Sequence, residues 1–164
     1  LEIHKEFTDA VFHCETPMPA AEQKETFQAI LENTLADDCS YEVVQAVHEQ
    51  LTGMIEEHKA NKESEPLVIS KGTVKNVLKA CEVAESRIEK FEEKYDAEFG
   101  SDAALSPRNI IDPKFEVRTP DVTIHVNPER SDLVETRVIN GTRYILIRAE
   151  EGVEVNGVNV HIAK

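Results

Sequence analysis

Two Asn-Gly pairs, Asn140-Gly141 and Asn156-Gly157, each set among β-branched residues, constrain this chain more than any other feature. Asn-Gly in a two-residue loop suits a type I′ turn, where both central residues need positive φ. Such a turn dictates strand register, because a slip of one residue turns every side chain over. Ile139 is then expected opposite Thr142, Arg137 opposite Tyr144, Glu135 opposite Leu146 and Val134 opposite Ile147. Alternation puts Val134, Thr136, Ile145 and Ile147 on one apolar face, and Glu135, Arg137, Tyr144 and Arg148 on the other. The second pair repeats the pattern on a smaller scale, with Val155 opposite Val158 and Val153 opposite Val160. Upstream, Phe115 and Val117, then Val122, Ile124 and Val126, alternate with polar residues. The C-terminal third therefore reads as a small antiparallel sheet whose apolar face must be covered from elsewhere.

The cover comes from helices. Thr16-Pro17-Met18-Pro19 resembles a helix entry, and Phe27, Ile30, Leu31 and Leu35 follow at helical spacing. Asp37-Asp38-Cys39-Ser40 breaks that helix and offers a cap for a second, Tyr41 to Lys59, with Val44, Val47, Leu51, Met54, Ile55 and His58 along one stripe. The short connection predicts antiparallel packing of the two. Gly53 costs the second helix about 1 kcal/mol against alanine, which a close helix crossing would explain. Ser70 can cap a third helix, with Val74, Val77, Leu78 and Cys81 on one face. A fourth, Ala84 to Phe99, presents Ile88, Phe91, Tyr95 and Phe99 and is stopped by Gly100. Asp9 to Cys14 reads as a short strand, and so does Leu67-Val68-Ile69. Phe27, Leu31, Val47, Leu51, Phe91 and Tyr95 are the expected core.

At 164 residues the chain is read as a single α+β domain over residues 1–164, with possible sub-boundaries at 60–66 and 101–113. It begins Leu1-Glu2-Ile3 without Met, and is read as a fragment of a longer protein. The three cysteines are far apart and odd in number, which fits reduced thiols in the cytoplasm. The net charge of −14 is uneven: residues 1–105 hold 23 acids against 10 bases, residues 106–164 hold 9 against 8. Six of the seven arginines lie in the second part, so pairing between them and the acidic helices is one expectation. An acidic chain with no basic run is a poor ligand for nucleic acid. No apolar run approaches the length of a membrane helix.

No motif specifies a chemistry. His48 and His58 lie ten residues apart on one helix, about 80° from a shared direction, too far for a shared metal. His4, His13, His125 and His161 are scattered. There is no nucleophile elbow, no phosphate-binding glycine loop and no dinucleotide fingerprint. The helix pair over Leu67 to Phe99 could form a helix-turn-helix, but its second helix is lined with glutamates, unlike a recognition helix. One pattern is nuclease-like: Pro120-Asp121 before a strand and Glu135-Thr136-Arg137 on a later one. Asp121 and Glu135 would hold Mg²⁺ there, but Arg137 stands where a lysine would position the water, and it is a poor base.

Four runs taken together carry a resemblance: Phe7-Thr8-Asp9-Ala10-Val11-Phe12, Pro17-Met18-Pro19, Pro128 to Arg137, and Val153 to Val160. The sequence resembles the C-terminal part of an uncharacterised bacterial family, the domain of unknown function numbered 4317. The resemblance spans nearly the whole chain and implies a missing N-terminal region. It implies no activity, so no residue role comes with it.

The reading is an α+β domain of about four amphipathic helices followed by a small antiparallel sheet with Asn-Gly hairpins. Its function is expected to be that of a non-catalytic interaction or regulatory module, without cofactor or resident metal. The partner would be an unidentified protein or the missing N-terminal region, with no nucleic acid and no membrane. The expected binding residues are Glu135, Arg137, Tyr144 and Arg148, because arginine and tyrosine are enriched at recognition sites. The alternative is a metal-dependent hydrolase using Asp121, Glu135 and Arg137.

Overall fold

Ser40 starts the longest helix. Its hydroxyl accepts the Val43 N–H at 3.4 Å, satisfying one donor that the first helical turn leaves free. The computed structural model describes residues 18–62 and 64–162. The expected strand Asp9–Cys14 and the Thr16 cap lie outside them. Helices α1 (Ala20–Leu35), α2 (Tyr41–Asn61), α3 (Lys71–Ala80) and α4 (Glu85–Phe99) follow in order, then a single turn of helix, α5 (Pro107–Ile110), inside the expected 101–113 loop. Gly100 ends α4 at φ +108°, a conformation that favours glycine, and its N–H bonds to the Asp96 carbonyl at 3.0 Å.

The core is helical. Phe27, Ile30 and Leu35 of α1, Val43, Val47 and Leu51 of α2, Val74 and Leu78 of α3, Ile88, Phe91 and Tyr95 of α4, and Ile110 form one buried cluster. All six residues expected in the core are in it. The phase of α2 differs slightly from expectation: Val43 points inward and Val44 is exposed. Nor are α1 and α2 each other's main neighbours. Helix α1 packs chiefly on α4 and α5, and α2 on α3. Tyr95 packs between Phe91 and Phe99 in tilted and edge-on contacts, and its hydroxyl donates to the Ala103 carbonyl at 3.1 Å. Burial pushes its phenol up to about 12. Ile69 and Leu105 exchange two backbone hydrogen bonds, at 2.8 and 2.9 Å, so the Leu67–Ile69 segment is an anchor of one bridge.

The strands are β1 (Phe115–Arg118), β2 (Thr123–Val126), β3 (Val134–Ile139), β4 (Thr142–Ile147), β5 (Val153–Val155) and β6 (Val158–Val160). Ile139 pairs with Thr142, Arg137 with Tyr144 and Val134 with Ile147; Val155 pairs with Val158 and Val153 with Val160. Asn140 and Gly141 have φ of +51° and +80°, Asn156 and Gly157 of +49° and +84°, as a type I′ turn requires. Gly141→Val should therefore destabilise the fold by about 1 kcal/mol or more, since a β-branched side chain is forced into the left-handed region. A chemical denaturation midpoint equal to the parent's would contradict this.

The strands do not make one sheet. They form three separate two-stranded antiparallel sheets, β1–β2, β3–β4 and β5–β6. The apolar face of β3–β4 is only partly covered: Val134 is buried and Ile145 half-buried, while Ile147, directly opposite Val134, is 56% exposed and Val138 is exposed as well. The physical reason lies in the helices. Their apolar stripes are used up against one another, leaving little to lay over a sheet. Among the described residues, Phe115 and Val134 are the buried apolar strand residues.

Candidate functional site

The first two hairpins are joined to the helices along the polar side of α2. Tyr41, Gln45, His48, Glu49 and Thr52 recur at helical spacing and lie roughly opposite the Val43–Val47–Leu51 stripe. Between β2 and β3 the chain makes a 3₁₀ turn (Pro128–Leu133), begun by Asn127, whose side chain accepts the Glu129 N–H at 3.0 Å. Ser131 of this turn is 2% exposed. Its hydroxyl donates to Glu49 Oε1 at 2.8 Å and accepts from Gln45 Nε2 at 3.0 Å, and its carbonyl accepts the Tyr41 hydroxyl at 2.9 Å. A buried hydroxyl without partners would be destabilising; this one has its donor and acceptor both used. Phe115 sits edge-on between the rings of Tyr41 and His48, at centroid distances of 5.9 and 5.1 Å. His48 Nε2 donates to the Asp112 carbonyl at 2.8 Å, and Nδ1 is 3.4 Å from the Thr52 hydroxyl.

Asp112 closes this seam toward α1. Its carboxylate accepts the Lys114 N–H at 3.0 Å and pairs with Lys24 Nζ at 3.2 Å. The Lys114 N–H first, and Lys24 after it, hold its pKa below the usual carboxylate value. A carboxyl lowered by folding contributes stability above its unfolded pKa and loses it as pH falls through the folded value. Asp112→Asn should therefore lower the melting temperature at neutral pH. The difference from the parent should shrink below about pH 4; a difference constant with pH would exclude this role.

On the far side of the β3–β4 hairpin, Glu135, Arg137 and Tyr144 share a face, with Arg137 directly opposite Tyr144. Arg137 is bonded to Glu135 at 2.9 Å along its own strand. Arg148 joins a closed ring of four charges: Arg130 and Arg148 each contact both Asp132 and Glu150, at 3.0–3.2 Å. Arg130, above all, keeps the Asp132 carboxyl below its ordinary value. The ring ties the 3₁₀ turn to the end of β4. Arg118 likewise pairs with Glu116. These arginines thus engage acids of their own third, and not the acidic helices. Most of these pairs are two residues apart, and the Arg130–Glu150 and Arg148–Asp132 pairs close across the base of the β3–β4 hairpin, so pairing orders little extra chain.

The family described as Domain of unknown function (DUF4317) matches residues 1–158. The chain belongs to this family. No curated protein and no solved structure matches it. What any residue of this DUF4317 member does must accordingly be argued from its surroundings.

Within this member of DUF4317, the sequence-predicted residues divide. Glu135, Arg137 and Tyr144 share one face of β3–β4, and Tyr144 is exposed, while Arg148, one residue beyond β4, is paired with Asp132 and Glu150. Asp121 lies in the turn joining β1 to β2, while Glu135 and Arg137 lie on β3, in a different sheet. Among the described residues, no three His, Cys, Asp or Glu side chains gather as a metal site. His58 turns to the Glu65 carbonyl, at 2.7 Å, away from His48's partner. Cys39 and Cys81 are half-buried, and burial raises the pKa of both thiols. No helix among the described residues is long and apolar enough to cross a membrane. The polar seam of Tyr41, Gln45, His48 and Ser131 was not foreseen. Its signal was present in the polar i, i+4, i+7, i+11 spacing of α2, a pattern that also describes an ordinary solvated helix face.

Proposed function

We propose that this domain is a non-catalytic interaction module that presents its C-terminal hairpins to another polypeptide. The observation that carries the reading is the valine face of the last hairpin. Val153, Val155, Val158 and Val160 all fall on one side of β5–β6, and Val158 is 62% exposed. An isolated two-stranded hairpin is marginal in water, and it gains stability from a third strand or a packed surface. Ile147 and Val138 of the preceding hairpin are exposed as well. Open strand edges beside apolar side chains suit the addition of a partner strand, with backbone hydrogen bonds for affinity and alternate side chains for specificity. Glu135, Arg137, Tyr144 and Arg148 would then form a polar margin.

A photo-crosslinking side chain placed at Ile147 or Val158 tests this in the cells that make the protein, with Glu93 on the exposed side of α4 as the control. The expected result is a covalent adduct to a defined polypeptide at the two hairpin positions and not at Glu93. No adduct, or equal labelling at all three, would end the proposal. Against the captured partner, Arg137→Ala should weaken binding while shifting the stability of the free domain by less than about 1 kcal/mol, as for exposed ion pairs in general.

A further inference from the structure

Gly53 lies in the interior of α2, where glycine weakens a helix relative to alanine. No close helix crossing accounts for it: a Cβ built there meets no atom within 4 Å. Instead Gly53 lines an open groove of about 640 Å³ between α2, the segment after α5 and the 3₁₀ turn. That volume is in the range of small-molecule sites. Bare helix backbone at a groove wall permits close approach by a molecule that the chain itself does not supply.

The charges around the groove indicate what kind of molecule. Lys59 and Arg108 line it, as do Glu56 and Glu129. None of these four is in an ion pair among the described residues, although Arg118, Arg130, Arg137 and Arg148 all are. A third carboxylate, Glu49, is already held by the Ser131 hydroxyl. Ile55, Ile111 and Pro128 supply apolar surface. Two cations and two carboxylates that leave each other unpaired across one groove complement a ligand carrying both signs of charge.

We propose that this groove binds a zwitterionic small molecule of the amino-acid or short-peptide class. Its carboxylate is taken by Lys59 and Arg108, its ammonium by Glu56 and Glu129, and its apolar side chain by Ile55, Ile111 and Pro128. Gly53 lets it lie against the helix. The site goes beyond the hairpin surface and stands or falls independently of it.

The test is a titration of the whole chain, followed by NMR, with the dipeptides Leu-Leu, Phe-Leu and Val-Val. Saturable binding of at least one of them, at about 10 mM or below, is expected. N-acetylation or C-terminal amidation of that dipeptide should weaken it about tenfold, the usual effect of removing a charge-assisted contact. Gly53→Leu, which fills the groove, should abolish binding without lowering the melting temperature. Arg108→Gln and Glu56→Gln should each weaken binding and leave the fold intact, which keeps the test decisive if Gly53→Leu unfolds. Absence of saturable shifts with all three dipeptides overturns the proposal. So does equal binding of the capped forms, or binding unaffected by these substitutions.

Discussion

Phe91→Ala is expected to lower the stability of the domain by about 3–5 kcal/mol. Phe91 is 0% exposed and stands at the centre of the buried cluster. It also contacts Tyr95, with ring centroids 6.0 Å apart. Truncation removes the apolar area of the ring and leaves a cavity in a cluster drawn from α1, α2, α3 and α4, so the site cannot collapse freely. Small domains are stable by only about 5–15 kcal/mol, so a loss of this size takes a large share. Urea denaturation of the parent and the variant measures it. A change below about 1 kcal/mol would mean that Phe91 is not at a close-packed centre.

Phe115→Ala should cost about 3 kcal/mol or more, and in a different place. Phe115 is the ring that β1 inserts between Tyr41 and His48. Removing it empties the apolar middle of the seam and leaves the polar contacts of Ser131 and Asp112 to hold the strands. Because the helical core does not depend on Phe115, the loss should be local. Amide exchange should quicken across β1–β2 and the 3₁₀ turn, while the amides of α1 and α4 keep their protection. Uniform acceleration over the whole chain would show instead that the seam and the core unfold as one unit.

The two variants probe parts of the molecule that were unequally legible. The hairpins follow from a few residues. Asn140-Gly141 and Asn156-Gly157 demand positive φ at both turn positions, and this alone sets every cross-strand pair up to Val134–Ile147. The helices follow from spacing, and the six core residues expected from it are buried, although on α2 Val43 takes the inward place expected of Val44. Capping is local too: Ser40 and Gly100 do at the helix ends what their chemistry suggests, while Ser70 stands at the N-cap of α3 without a side-chain bond to it.

What lies beyond a single element was not legible in the same way. Three hairpins and one six-stranded sheet have the same alternation, since register within a pair says nothing about which pairs meet. The packing of α1 on α4 and α5 was hidden for a similar reason: connection length limits where a helix can go, but the fit of the buried side chains of α1 against those of α4 and α5 chooses among the possibilities. The seam is the clearest case. Tyr41, Gln45 and His48 have the composition of a solvated face, and they become structural when Ser131 and Phe115, far away in the chain, are placed on them. Likewise Gly53 is an unexplained weakness in a helix until the tertiary structure sets a groove beside it. Local backbone chemistry and periodicity thus determined the turns, caps, helix faces and strand register of this protein. Only the tertiary structure decided how the sheets divide and what the polar side of α2 holds, because those depend on contacts between residues far apart in the chain, which no local pattern encodes.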